Sequence, residues 1–451
     1  MASANFGDIE NGSSGGGPCG RVLQWLKALP AKSWGKGLEA LREAKKVGED
    51  DPRKIVHSFK VGLALTLVSL FYYYRPLYDG FGVNAMWAVL TVVVVSEFSV
   101  GATLGKGINR MLATSLAGAL AVGAHHISTL WGGEVGEPIL IAFFVFVVAA
   151  IVTFMRFFPA LKARYDYGLL VFILTFCLVS VSGYRDTQVL DMAHKRLSTI
   201  AIGSCTPIMV CIFICPVWIG ADLHNLVAGN MEKLGDFIEG FGFEYFHIKE
   251  SELSSSDTQS SLQGYKSVLS SKSLEETMAN LARWEPGHGG FKFCHPWEKY
   301  LNVGALTRQC AYKIEALNTC LNTEIQAPAE IRSKIQEPCT NICSESGKAL
   351  KELAAALKKM TRASSANPHI EYSKAAAERL KLLLKRGIWD DVNLLETIPS
   401  AAVASLLLEV VACVEKIAEA VHELASVAHF KTEQPQLLQE PILSQVAITC
   451  N

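Results

Sequence analysis

PILIAFFVFVVAAIVTFMRFF, running from Pro138 to Phe158, carries a single charged side chain, Arg156, two residues from its end. A bilayer core of about 30 Å is crossed by roughly 20 apolar residues in an α-helix. A helix that packs on a soluble core keeps one polar face, and this stretch has none. It therefore reads as a membrane span. Working outward, five more stretches have the same character: 55–74, 83–99, 105–125, 166–183 and 194–218. Turn-like residues separate them, among them Arg75-Pro76, Gly80-Phe81-Gly82, Gly132-Gly133, Phe158-Pro159 and Gly183. Composition agrees. Half of the 451 residues are hydrophobic and only 19% are charged, against about a quarter in soluble chains, and mean hydropathy is +0.25.

The apolar runs stop near residue 220. The expected organisation is an all-α membrane protein: a cytosolic N-terminal tail (1–50), a six-helix transmembrane domain (51–219), a C-terminal cytosolic helical domain (220–430) and a tail (431–451). The Gly- and Ser-rich start, 1–18, lacks the apolar segment of a secretory signal. Residues 21–47 alternate basic and apolar side chains, which suits either a basic helix on a membrane surface or one packed on the soluble domain.

Lys and Arg set the orientation. Nine lie between Arg21 and Lys54, and Arg156, Lys162 and Arg164 join them between spans four and five, while 126–137 holds none. The positive-inside rule puts both termini in the cytoplasm. No cysteine falls in an outer loop, so no extracellular disulfide is expected.

Charges inside the spans are the functional signal, because a basic side chain at the bilayer centre costs about 3 kcal/mol. Lys60 lies about 9 Å along its helix from Lys54 at 1.5 Å per residue. Lys106 and Arg110 are four apart and share a face, and Lys195 and Arg196 open the sixth span. The one acid well inside a span is Glu97. An excess of cations suits an anion pathway, whereas proton and cation pathways use carboxylates. Lys54 and Lys195 also suit a plainer role as interfacial residues that snorkel to the headgroups.

Other motifs fail. Gly101–Gly107 resembles a phosphate loop, but has three residues rather than four before Gly-Lys and lacks the following Ser/Thr. His125-His126, Cys294-His295 and Cys339-x3-Cys343 have no second pair at metal-site spacing, so neither metal nor cofactor is expected. No nucleophile arrangement, HExxH or GxSxG occurs, so an enzyme is disfavoured. Nothing suggests nucleic acid. Beyond the spans, helical patterns cover 222–246, 275–284, 298–325, 328–362, 371–386 and 390–430, the last broken at Pro399. Its apolar stripe, Leu406, Val410, Val414, Ile417, Val421 and Leu424, reads as a bundle seam or a dimer contact. The Ser-rich stretch 251–273 is either a passive linker or a target for a protein kinase.

Three stretches carry a resemblance. DPRKIVHSFKVGLAL (Asp51–Leu65), NAMWAV (Asn84–Val89) and VVSEFSVGATLGKGINR (Val94–Arg110), with Trp284-Glu285-Pro286, resemble the plant aluminium-activated malate transporter family over about residues 40–430. The chain looks closest to its rapid-type, voltage-dependent guard-cell branch. The resemblance implies a homodimer of six-span subunits passing malate and inorganic anions (sulfate, nitrate, chloride), with Arg110 and Arg196 at the positions of pore arginines. Aluminium-responsive relatives carry clustered acids in outer loops, as a hard trivalent cation requires. Here Thr187 and Gln188 stand among Asp186 and Asp191, with Asp79 elsewhere, so aluminium activation is not expected.

The resulting expectation is an anion channel in contact with membrane lipids, at the plasma membrane or alternatively the vacuolar membrane. Its pathway is Lys60, Lys106, Arg110, Lys195 and Arg196. Tyr72, Phe81 or Trp87 close it, and Trp284, Glu285 and Pro286 fix a turn. The alternative is a proton-coupled organic-acid carrier, for which His57 and Glu97 are the only titrating candidates.

Overall fold

The computed structural model describes residues 31–74, 85–183, 189–246, 263–323, 327–386 and 394–432. The N-terminal tail to residue 30, Asp79, Phe81, Asp186, most of the Ser-rich stretch and the C-terminal tail lie outside them. The side chains of Tyr72 and Asp191 do too. The chain divides into two compact units at Leu63/Ala64.

The first unit holds α1 (Ala31–Asp50) and the opening of α2 (Pro52–Tyr73). Asp51 ends one helix and starts the next. Its carboxylate accepts the Arg53 backbone N–H at 3.1 Å and Nε at 3.2 Å, and Pro52 occupies the first helical position, where a missing N–H costs nothing. Leu41 and Val47 of α1 point outward.

In the second unit, α2 continues to Tyr73, followed by α3 (Ala85–Val95), α4 (Val100–Met155), α5 (Pro159–Gly183) and α6 (Val189–Phe213). Ser99 caps α4 by accepting the Ala102 N–H at 3.3 Å. The helix is broken at Gly133 (φ 56°, ψ −171°), a left-handed conformation that side chains with a Cβ avoid. The break falls at the turn read from Gly132-Gly133. The halves of α4 then pack with α5 through Ala117, Ala121 and Ala124 against Phe144, Phe172 and Phe176. The small side chains let the aromatic rings close the gap.

Among the described residues four helical segments are long and apolar enough to cross a membrane: Val135–Met155, Pro159–Ser182, Ala193–Phe213 and Leu395–Val427. The first three coincide with expected spans. Only 11% of the Val135–Met155 window is buried, which leaves Phe143, Phe146 and Phe154 outward-facing, a surface suited to lipid rather than water. The stretch 83–99 is represented by α3, 11 residues long and about 16 Å by its rise, half a bilayer core. The stretches 55–74 and 105–125 are helical but fall outside the four.

Leu395–Val427 is different in kind. It belongs to the C-terminal helices: α7 (Ile219–Phe246), α8 (Lys266–Leu269), α9 (Lys272–Ala282), α10 (Trp297–Leu321), α11 (Ala329–Lys359), α12 (Ala366–Lys385) and α13 (Leu394–Val427). Its stripe, Val410, Val414, Ile417, Val421 and Leu424, is buried with Phe237, Phe241, Tyr300 and Leu353 in one core. Its opposite face carries Glu409, Glu415 and Glu423, paired with Lys313, Lys374 and Lys299. That is a core helix, and the stripe is the seam of a bundle. The helix runs through Pro399 rather than breaking there; proline at this sixth position removes one hydrogen bond, that to the Leu395 carbonyl, and the packed remainder of the helix carries that loss. A buried ion pair, Glu275 with Arg308, ties α9 to α10. Ser271 donates to the same carboxylate at 2.8 Å.

Candidate functional site

Two arginines from helices far apart in sequence face a common interior. Arg110 of α4 and Arg196 of α6 are each only 6% exposed, and Arg110 lies close enough to put a like charge in the surroundings of Arg196. Arg110 Nη1 donates to the Tyr167 hydroxyl of α5 at 2.9 Å, and its Nε is buried with no hydrogen-bond partner. The Arg196 guanidinium lies over the Trp87 ring of α3, 4.2 Å from its centroid. Among the described residues neither arginine has a carboxylate partner.

Close packing fixes this geometry. A Cβ on Gly203 of α6 would stand 2.6 Å from the Ala88 carbonyl oxygen of α3. The missing side chain thus lets the two backbones touch and brings Trp87 beside Arg196. Thr91 donates back to the Trp87 carbonyl at 2.6 Å, and Thr199 does the same to Lys195 and Arg196 at 3.0 Å. These bonds spend the hydroxyl protons on the helices' own backbone.

Burying two like charges without counter-charge costs several kcal/mol per ion. A cation–π contact returns at most about 2 kcal/mol when desolvated. A hydrogen bond to a phenol returns a similar amount. The remainder is not met among the described residues, and an unpartnered guanidinium donor is of the kind that suits an anionic oxygen.

The other candidates are placed less simply. Lys106 is paired with Glu97 and lies over the Tyr167 ring, 5.7 Å from its centroid. The two that looked like opposites in separate spans therefore neutralise each other. Arg156 and Asp166 form a second pair at 2.7 and 3.2 Å. Lys195 is half-buried. Lys60, in the first unit, is 3% exposed. Of the expected gate residues, Trp87 stands against Arg196; Phe81 is outside the described residues. Tyr167 was missed by the sequence reading. Its one signal was a phenol near the polar start of an apolar helix.

Trp284-Glu285-Pro286 docks the helical part on the ends of the spans. Glu285 accepts the backbone N–H groups of Ile219 at 2.7 Å and Gly220 at 3.1 Å, capping α7 where it leaves the membrane segment. Burial pushes its carboxyl up to about 7 despite those bonds. Just before α7, the Val217 carbonyl accepts the Val100 N–H at the start of α4, at 3.1 Å. Trp218 stacks on His288 at 3.8 Å, whose Nδ1 lies 2.9 Å from the Pro286 carbonyl. Trp284 meets Gly105 of α4 and Tyr165 of α5.

Among the described residues no group of three His, Cys, Asp or Glu is placed to hold a metal ion. Cys339 and Cys343 are buried thiols held above their usual range by burial, Cys339 at about 12. His125 instead faces Glu137 across the Gly133 break at 3.6 Å. Positions 184–188, expected from the sequence in an outer loop, lie outside the described residues.

Comparison with known sequences adds the lineage. A family profile described as "Aluminium activated malate transporter" matches residues 45–389. Aluminum-activated malate transporter 2 of Arabidopsis thaliana is 56% identical over 88% of this chain and 79% of its own length. Transporters 7 and 1 of the same plant are 51% and 52% identical, covering 90% and 89% of this chain and 85% and 83% of theirs.

Proposed function

The chain belongs to the aluminium-activated malate transporter family, and on that footing we propose that it is a voltage-dependent anion channel rather than an enzyme. It passes malate, and with it sulfate, nitrate and chloride, across a plant plasma membrane. The relatives' names support malate as the substrate, and the apolar helices support a multi-pass membrane protein. The observation that carries the reading is the buried Arg110–Arg196 pair, which has no carboxylate partner among the described residues. A permeating dicarboxylate occupies it transiently, with Trp87 and Tyr167 holding the two guanidinium groups in place. Lys106 and Lys195 follow them on α4 and α6. Lys60 is added from the sequence alone.

Six spans per subunit, two subunits and cytoplasmic termini belong to the same proposal, as does kinase control of the Ser-rich stretch. Among the described residues no helix carries the regular arginine row of a dedicated voltage sensor. Voltage instead acts on the permeating anion or on these cations, at about 2.3 kcal/mol per unit charge per 100 mV. The test is a set of current–voltage curves from the purified chain in planar bilayers, with malate gradients at two external pH values. Reversal potentials that follow malate and ignore pH support a channel. Reversal potentials that move with pH indicate the proton-coupled carrier instead.

A further inference from the structure

A second basic site lies outside the arginine pair. A cavity of about 280 Å³ opens where the starts of α4 and α5 meet the end of α9, lined by Lys106, Asn109, Lys162, Arg164, Tyr167 and Trp284 among others. Its charges do not cancel. Lys106 is matched by Glu97, and Asp166, which also lines the cavity, is held by Arg156 and lies within electrostatic reach of Lys162. Two cations remain, Lys162 and Arg164, and among the described residues neither is within salt-bridge distance of a carboxylate. Lys162 stands in the first turn of α5, where the helix dipole adds positive potential.

Arg164 is held in place as well as charged. Its guanidinium lies 5.5 Å from the Tyr165 ring centroid and 5.4 Å from that of Trp284, and its backbone carbonyl accepts the Asn109 amide at 3.2 Å. A guanidinium held this way loses little freedom on binding and offers a planar fork.

We propose that this cavity binds a phosphomonoester dianion. The fork suits two oxygens of one phosphate, with the Lys162 ammonium as a point charge on a third. At neutral pH such a group carries about −1.5 to −2 charges, matching the surplus of two. A dicarboxylate spreads the same charge over two ends and fits one cluster less well. Basic pockets between membrane helices at a polar boundary suit phosphorylated headgroups, and free phosphate has the same chemistry. The cavity shares one residue with the arginine pair, because Tyr167 lines it and accepts the hydrogen bond from Arg110.

The experiment is isothermal titration of the purified full-length chain in detergent with four probes: inorganic phosphate, dioctanoyl phosphatidic acid, malate and dioctanoyl phosphatidylcholine. Binding of phosphate, phosphatidic acid or both, each tighter than phosphatidylcholine, supports the site. Phosphate alone identifies a soluble source and phosphatidic acid alone a lipid source. Arg164→Gln is expected to weaken that binding about tenfold, and Lys162→Gln/Arg164→Gln about a hundredfold. Both side chains are exposed, so an unchanged thermal unfolding temperature verifies that the variants fold. Arg164→Lys keeps the charge without the fork and recovers part of the loss. Overturning results are no binding of either phosphate probe, binding indifferent to the double variant, or phosphate binding that Arg110→Gln abolishes and Arg164→Gln spares. The last would place phosphate on the arginine pair.

Discussion

Replacing Arg110 with glutamine separates an anion site from a structural arginine, because the two roles move stability and transport differently. The substitution removes one of two buried like charges, the hydrogen bond to Tyr167 and the orphaned Nε. In the occupied state, a charge-assisted hydrogen bond is lost, about 1.5–3 kcal/mol. That corresponds to about ten- to a hundredfold weaker half-saturation by malate. In the empty state the signs oppose. Losing the Tyr167 bond costs about 1–3 kcal/mol, while relief of desolvation and of repulsion from Arg196 returns a comparable amount. The anion-free unfolding temperature should therefore hold steady as the half-saturation rises. Single-channel recording against malate concentration reads the first quantity, and thermal unfolding in malate-free detergent the second. Malate should also protect wild type against unfolding more than the variant, since a ligand stabilises only what it binds. The reasoning is refuted if half-saturation is unchanged, or if malate-free stability collapses as after a core deletion.

Three further outcomes follow from the same geometry. Gly203→Ala drives a methyl into the Ala88 carbonyl at about 1–3 kcal/mol, displaces Trp87 from Arg196, and should reduce malate current as Trp87→Leu does; normal current in both removes Trp87 from the pathway. Arg308→Leu strands the buried Glu275 carboxylate and should destabilise by about 3–5 kcal/mol in denaturant unfolding, with Glu275→Leu/Arg308→Leu recovering much of it. Glu285 tests pH dependence. Its carboxyl titrates near 7 in the folded protein, so the folded state binds the proton more tightly and loses stability as pH rises from the unfolded value toward 7. His295, held down at about 4 by burial, works the other way below its unfolded value. The clean readout is thus a difference between proteins. From pH 5.5 to 7.5, Glu285→Gln should gain about 2 kcal/mol on wild type; a constant difference refutes the assignment.

The helical character of the chain was legible because hydropathy and period act locally. Val135–Met155 declares itself by composition alone. The C-terminal helix was readable for the opposite reason: its apolar positions recur every three or four residues, and its charges fall between them. A window average merges these two cases, since Leu395–Val427 passes the same hydropathy threshold as a span. Only the position of the charges separates them, with Glu409 and Glu415 meeting lysines on neighbouring helices. The Pro399 reading failed for a related reason. Proline disfavours a helix interior, but the loss of one hydrogen bond is outweighed when the rest of the helix is buried in a core, and that burial is a tertiary fact.

The site was half legible, and the missing half concerns compensation. Sequence shows which cations exist, but their partners are chosen in space. Lys106 finds Glu97 nine residues back, across the turn between α3 and α4. Arg110 meets a phenol 57 residues away. No helical spacing rule reaches either, because such rules cover three or four residues on one face. A count of cations therefore overstates the field available to an anion. What attracts it is the charge left after folding has paired the rest. Among the α4 and α6 candidates, Lys106 has its carboxylate, while Arg110 and Arg196 have none among the described residues. In a low-dielectric interior that residual charge is held at a standing cost, which a bound anion would relieve. Occupancy must nevertheless be brief for current to flow, since a site that binds too well retains its ion. On the channel reading proposed above, two like-charged arginines, one held by a neutral phenol and the other by an aromatic face, would meet both demands: they would draw an anion in, and among the described residues they have no carboxylate whose rearrangement would be needed to let it leave.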